Sequence, residues 1–492
     1  MLKNHIRPDD GLDKESRKEE TKRLQELLTA QQPALREAKL PVVVMVEGWG
    51  AAGKGGLINK LISDIDPRFC SVFSLDADRR DADRYPFLYP FFSALPENGK
   101  MLFMDGGWME AAIRDRLCGG LGKEEYRQRI LSVNRFERQL RDNGYLVVKL
   151  FVHISEKEQA KRQKELLSDR ETAWRVSDSD RQQNKEYDRF LDAYEEFMTA
   201  TGDVFPWHVV DGSGMKKLNY DAFCLLTEAI GASLAAGKIC GEPFETDFAM
   251  APTPRLSEVD LSPRLEEAEY RKELDALQER LSRLHNRIYR KRIPVIVCFE
   301  GWDAAGKGGS IRRLAYPLDP RGFETWPIAS PEPHELARHF LWRFWTRLPR
   351  SGHVAIFDRT WYGRVMVERI EGFCSEKDWQ RAYNEINEFE ADLHDWGAVI
   401  LKFWLQIDQE TQLARFTERQ NTPEKQWKIT EEDWRNREKW PLYEEAVSDM
   451  LEKTSTEAAP WHIIESNDKF YARIKVMRTV ADAMEQALKD RN

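Results

Sequence analysis

At 492 residues the chain is too long for one ordinary domain, and two or three are expected. Charged residues make up 32%, and no apolar run approaches the length of a bilayer span, which points to a soluble protein with no membrane partner. A net charge of −9 argues against nucleic acid as a partner without excluding a local basic channel for a polyanion. The six cysteines lack C-x-x-C spacing, so neither a disulfide framework nor a zinc site is indicated and a reducing cytoplasm is the simplest home.

The first 36 residues are polar and helix-like, with no signal-peptide core. Apolar residues at helical spacing run from Leu12 to Lys39, and Pro41 precedes a β-branched strand, Val42-Val43-Val44-Met45-Val46. Next comes Glu47-Gly48-Trp49-Gly50-Ala51-Ala52-Gly53-Lys54-Gly55-Gly56. The same decapeptide returns, with one change, as Glu300-Gly301-Trp302-Asp303-Ala304-Ala305-Gly306-Lys307-Gly308-Gly309, an offset of 253 (301 − 48). That offset recurs at Asp66 and Asp319, Asp105 and Asp358, Lys149 and Lys402, and Trp174 and Trp427. It slips by one only at Pro206-Trp207-His208 against Pro460-Trp461-His462. The chain is therefore an internal duplication of two α/β units. Residues 1–240 form an N-terminal domain, 241–263 a proline-interrupted linker, and 264–492 a C-terminal domain opening on a charged helix, Leu265 to Arg290.

Each half runs strand, glycine-rich loop, helix and aromatic-rich segment. A second strand ending in Asp follows, then a helix, a third strand (Tyr145 to Ile154 or Ala398 to Ile407), a basic helical stretch and a Pro-Trp-His strand. Strands alternating with helices predict two tandem three-layer α/β/α domains with parallel sheets.

The pattern G-x-x-x-x-G-K is complete from Gly301 to Lys307. Such a loop wraps backbone N–H groups of Gly306, Gly308 and Gly309 around a phosphate, with Lys307 reaching the same anion. Gly308 stands where Ser or Thr normally faces Mg²⁺, and Asp303 is a candidate replacement ligand. Asp358 ends an apolar strand at the carboxyl edge of the sheet, an address suited to a metal-binding acid, although a helix N-cap would use the same residue type. Arg359 and Arg364 follow, suited to phosphate oxygens. The stretch after the third strand carries Arg415, Arg419, Lys425, Lys428, Arg435, Arg437 and Lys439; it reads as a basic lid or as a solvated helical face. His334 and His339 lack a third ligand at metal spacing, and the tryptophans read mainly as packing.

Gly301 to Gly309, Asp319-Pro320-Arg321-Gly322, Phe357-Asp358-Arg359-Thr360-Trp361-Tyr362, Leu401-Lys402-Phe403-Trp404 and Ala459-Pro460-Trp461 resemble the polyphosphate kinase 2 family, and the tandem arrangement resembles its two-domain branch. The resemblance implies a P-loop kinase core with a helical lid, and phosphoryl transfer from inorganic polyphosphate to AMP, giving ADP. It also implies dependence on Mg²⁺, or on Mn²⁺ in its place. In the family the loop Asp and the strand-end Asp serve metal and acceptor, and the loop Lys, the following Arg and a lid Arg bind phosphates. Here these fall on Asp303, Asp358, Lys307, Arg359 and Arg419; apart from the resemblance, the basic residues Arg364, Lys428 and Arg437 are further candidate phosphate contacts.

In the first half Lys54 and Asp105 are kept. Asp303 corresponds to Gly50, Arg359 to Gly106, Arg364 to Ala111, Arg419 to Leu166, Lys425 to Thr172 and Arg437 to Asn184. A degenerate first half and a catalytic second half are expected. An ATP-dependent nucleotide or small-molecule kinase stays open, as do a non-catalytic binding scaffold and a homo-oligomer.

Overall fold

A computed structural model describes residues 6–7, 11–75, 84–237, 239–244, 247–429 and 431–491; the side chains of Lys425, Lys428 and Glu432 lie outside the described residues. Two compact units result. Counting the described residues of each span, one takes Met1–Arg80, Phe87–Gly241 and Pro333–Trp342, and the other Asp81–Pro86, Glu242–Glu332 and Arg343–Asn492.

The first unit holds strands β1 (Val42–Gly48), β2 (Cys70–Ser74), β3 (Met101–Asp105), β4 (Leu146–His153) and β5 (Trp207–Asp211). The second holds β6 (Val295–Gly301), β7 (Phe323–Pro327), β8 (Val354–Asp358), β9 (Val399–Gln406) and β10 (Trp461–Glu465). The sheet orders are β2-β3-β1-β4-β5 and β10-β9-β6-β8-β7, one topology in two copies, and every named pair is parallel. β1 and β6 are central and apolar on both faces because helices flank both sides; Val42 to Val46 and Val295 to Phe299 are at most 1% exposed.

The entry helices run Lys14–Glu37 and Glu267–Lys291, and each packs against the closing helix of its unit, Met215–Ala236 or Lys469–Asp490. Asp13 caps the first, accepting from the backbone N–H groups of Glu15 and Ser16. In the second unit the stretch near residue 250 is tied down as well, because Met250 bridges Thr456 and Ala251 N donates to Ser455 O at 2.7 Å.

Two edge strands, β2 and β7, lie in the stretch that the sequence presents as helix followed by aromatic-rich chain. Both are short and half-exposed, so they carry neither an apolar run nor a clean alternation. The units share a buried lysine–glutamate pair: Lys149 Nζ to Glu137 Oε2 at 2.8 Å, and Lys402 Nζ to Glu390 Oε2 at 2.7 Å. Each lysine donates in addition to a backbone carbonyl, Thr201 O or Thr454 O, at 2.6 Å, so the charges are satisfied. Among the described residues no helix is long and apolar enough to cross a membrane.

Candidate active site

β6 delivers the chain into the loop at Gly301, whose φ is 148° and where a Cβ would lie 2.7 Å from Leu405 O, so only glycine fits. Gly306 (φ 114°) then turns the chain into the helix Lys307–Ala315. Arg415, on the helix Gln409–Asn421, locks this shape. Its Nη1 donates to Ala304 O (2.9 Å) and Ala305 O (3.1 Å), and its Nη2 to Ser466 O (2.7 Å) and Asn467 O (3.1 Å). Trp302 stacks on Trp440 with centroids 3.6 Å apart and donates Nε1–H to Gln406 Oε1 at 2.9 Å. Lys307 Nζ donates to Gly301 O at 2.6 Å, which curls the ammonium back over the loop.

β8 ends at Asp358, in register with Phe299, two residues before the loop glycine. The helical turn that follows is capped by Thr360, not by Asp358, so the capping explanation of the acid falls away. Thr360 donates N–H and Oγ1–H to Glu300 Oε1 at 2.7 and 2.8 Å. Burial pushes the Glu300 carboxyl up, against the pull of Lys307. Trp361 Nε1–H and Tyr362 O–H donate to Glu390 Oε1 at 3.0 and 2.6 Å, so the buried Lys402–Glu390 pair fixes the segment that carries the arginines.

Arg359 has φ 66°, a backbone region that costs a non-glycine residue of order 1 kcal/mol or more. Its counterpart Gly106 takes φ 75° without that cost. The strained arginine is half exposed, and its Nη2 lies 3.5 Å from Asp303 Oδ1. The other Asp303 oxygen accepts from Asn436 Nδ2 at 3.1 Å. Asp303, Lys307, Arg359, Gly363, Asn436 and Tyr443 thus line one cavity of about 90 Å³.

The remaining predicted residues sit differently. Arg364 pairs through Nε with Glu368 at 3.2 Å. Arg437 Nη1 donates to Gln409 O (2.9 Å) and Gln412 Oε1 (3.0 Å), latching the helix Glu431–Glu438 onto the helix that carries Arg415. Asn184 makes the same two bonds in the first unit, to Glu156 O and Gln159 Oε1, so this contact is built into the fold whatever else Arg437 meets. Arg419 lines a second cavity with Gly306 and Gly309, away from Asp303. The Lys428 side chain lies outside the described residues. Sequence reasoning missed Glu300 and Asn436. The duplicated Glu47 was a signal for the first, whereas Asn436 sits unmarked among charged neighbours.

If Mg²⁺ is bound, Asp303, which lines this cavity, and Asp358, at the end of β8, are the residues that would hold it. Among the described residues no cluster of three or more His, Cys, Asp or Glu side chains could hold an ion. A hard donor set of two acids fits Mg²⁺, which binds through one or two carboxylates and completes its shell with phosphate oxygens and water.

In the first unit the same backbone holds different charges. A Cβ at Gly50 would overlap Asp180 Oδ1, and one at Gly106 would lie 2.7 Å from Glu110 Oε2, so two acids fill the spaces where the second unit has Asp303 and Arg359. Burial alone would lower the Lys54 ammonium, yet Glu110, Asp105, Asp180 and Glu47 together raise it. This lysine is enclosed by carboxylates.

The polyphosphate kinase 2 family model matches residues 11–232 and again 264–492. The polyphosphate:AMP phosphotransferase of Pseudomonas syringae pv. tomato is 42% identical over 469 residues, covering 94% of this chain and 93% of its own. The protein of that name from Pseudomonas aeruginosa is 41% identical over 467 residues, covering 94% of each. A crystal structure of a polyphosphate kinase 2 from Pseudomonas aeruginosa superposes with a TM-score of 0.86 at 38% identity over 99% of both chains. With two copies of a phosphate loop, one of them facing an acid and a strained arginine, and with likeness of this extent, the chain belongs to the polyphosphate kinase 2 family.

Proposed function

We propose that this chain transfers the terminal phosphoryl group of inorganic polyphosphate to AMP, giving ADP and a polyphosphate one unit shorter, and that the second unit does so alone. The observation that carries the reading is Arg359, held at φ 66° beside Asp303 in the cavity that Lys307 also lines. The relatives named polyphosphate:AMP phosphotransferase supply the substrate pair.

An oxygen of the AMP phosphate attacks the terminal phosphorus, the P–O–P bond breaks, and the shortened chain leaves as an oxyanion. The attacking oxygen is already anionic, so no strong base is required and the site has only to align and neutralise. Lys307 exchanges loop carbonyls for phosphate oxygens, and Arg359 meets the charge on the transferring group. Asp303 and Asp358 would hold Mg²⁺, and the ion would supply positive charge to the phosphate oxygens. A cytoplasmic setting goes with this reading, because AMP is at hand there.

The test is incubation of purified protein with AMP, long-chain polyphosphate and Mg²⁺, followed by separation of nucleotides. ADP formed without ATP is expected. Product only when ATP is supplied would make the chain an ordinary nucleotide kinase, binding without turnover would make it a scaffold, and activity surviving full chelation would remove the metal.

A further inference from the structure

Asp303 is held from two sides. Arg359 Nη2 approaches its Oδ1 at 3.5 Å from the turn after β8, and Asn436 Nδ2 donates to its Oδ2 at 3.1 Å from the helix Glu431–Glu438. Behind the amide stands Tyr443, on the helix Trp440–Thr454, whose O–H donates to Asn436 Oδ1 at 3.4 Å. Tyr443, Asn436 and Asp303 all line the cavity of the candidate site. Hydroxyl, amide and carboxylate thus make a short chain of hydrogen bonds that starts outside the loop and ends on its acid.

The duplication separates what the fold needs from what this acid needs. Two contacts that brace the loop occur in both units. Arg162 repeats the clamp of Arg415, donating to Ala51 O, Ala52 O, Gly212 O and Ser213 O. Gln412 Nε2 donates to Asp303 O at 3.1 Å, and its counterpart Gln159 donates to Gly50 O at 3.3 Å. The chain of bonds ending on Asp303 is not repeated. At the same offset Gly50 stands for Asp303, Gln183 for Asn436 and Phe190 for Tyr443, so carboxylate, shorter amide and hydroxyl are replaced together. Gln183 turns its Oε1 to the backbone N–H of Gly50 at 2.7 Å, serving the loop's main chain. Phe190 is 2% exposed, so packing at this place does not require a hydroxyl.

A carboxylate beside a guanidinium readily closes into a two-bond fork. At Asp303 the amide of Asn436 occupies the second oxygen, and the pair with Arg359 stays open at 3.5 Å. We propose that Asn436 is a positioning residue for phosphoryl transfer. Its amide, oriented by Tyr443, keeps Asp303 from closing on Arg359, which leaves the acid for Mg²⁺ and the guanidinium for the transferring phosphate. The proposal rests on the second unit being the site of transfer and on Asp303 serving it.

The test uses the full chain carrying Asn436→Ala, Tyr443→Phe, Asp303→Asn, and Asn436→Ala together with Asp303→Asn. Melting points check folding, kcat and KM are measured for AMP and long-chain polyphosphate, and Mn²⁺ binding to the protein alone is followed by calorimetry. Asn436→Ala should lower kcat about tenfold or more and weaken Mn²⁺ by a similar factor, the usual effect of removing a partner that orients a metal-binding group. KM for AMP and the melting point should hold. Tyr443→Phe, the residue the first unit has here, should lose about threefold in the same two quantities; it stands in if the Ala variant does not fold. Asp303→Asn is itself impaired, and adding Asn436→Ala to it should cost little more, because residues that act through one another are not additive. Unmoved kcat and Mn²⁺ affinity, a full further loss in the Asp303→Asn background, or a rise in KM for AMP with kcat intact overturns the positioning role. If the wild-type chain makes no ADP from polyphosphate, the functional reading fails instead, while the Mn²⁺ titration still decides whether Asn436 holds Asp303.

Discussion

Lys54 and Lys307 end the same loop, and both turn back on it, donating to Gly48 O at 3.1 Å and to Gly301 O at 2.6 Å. Around Lys307 the neighbours balance: Asp303 is met by Arg359 and Asn436. Around Lys54 they do not, because Asp105, Glu110, Asp180 and Glu47 all pull on one ammonium. The aromatic stack is kept, Trp49 on Tyr187 at 3.9 Å against Trp302 on Trp440 at 3.6 Å, and so is the arginine clamp. The two units differ in the charges above the loop, because the first has acids where the second has Asp303 and Arg359.

The contrast is broken most directly by Lys307→Ala beside Lys54→Ala, with melting points measured for both. Turnover should fall by at least ~10³-fold in the first and keep most of its value in the second. A dead Lys54→Ala that still folds, or equal losses, would put chemistry in the wrong unit. Arg359→Ala should lower kcat by roughly 10²–10³-fold without loss of stability, since it removes a transition-state charge carried by a half-exposed side chain and leaves the backbone strain at φ 66° as it was. A lowered melting point with kcat intact would make this arginine structural. Arg419→Ala should lower turnover on polyphosphate by about tenfold or more while the melting point holds, because a partly exposed lid arginine contributes little to folding. Lost folding in place of lost activity would make the segment structural.

The smallest effect concerns pH. Burial, then Glu110, pushes the Glu47 carboxyl from 4.5 up to about 8. A raised carboxyl stabilises the fold in full below its unfolded pKa and loses that contribution as pH rises through the folded value. Calorimetric unfolding should therefore show the first unit losing several degrees of Tm as pH rises from about 4.5 to about 8, with no further loss from this group above that. In Glu47→Gln the decline should be shallower, and an unchanged slope would show that Glu47 does not set it.

Much of this was legible in the chain because duplication supplies an internal comparison. The central strands stand out as β-branched runs, and Gly50 and Gly106 announce the loss of an acid and a guanidinium. What did not show depends on tertiary contact. β2 is Cys70-Ser71-Val72-Phe73-Ser74, an edge strand whose side chains face both solvent and helix. Nothing in the chain shows that Arg437, a candidate phosphate ligand, also donates to Gln409 O. That Asp180 and Glu110 come to stand where a Cβ at Gly50 and Gly106 would be is likewise a matter of tertiary contact.

The arginine clamp has a consequence for binding entropy. Arg415 joins the loop to the chain leaving β10 through four carbonyls, and Arg162 does the same in the first unit. The loop thus acquires its anion-cradling form when the protein folds and does not await a ligand. Fixing a residue costs roughly 1–2 kcal/mol of conformational entropy, so a loop of this length ordered only on binding would take a large share of the affinity its phosphate contacts provide. With that ordering done at folding, nearly all of the contact energy is left for distinguishing the transferring phosphoryl group from the rest of the chain.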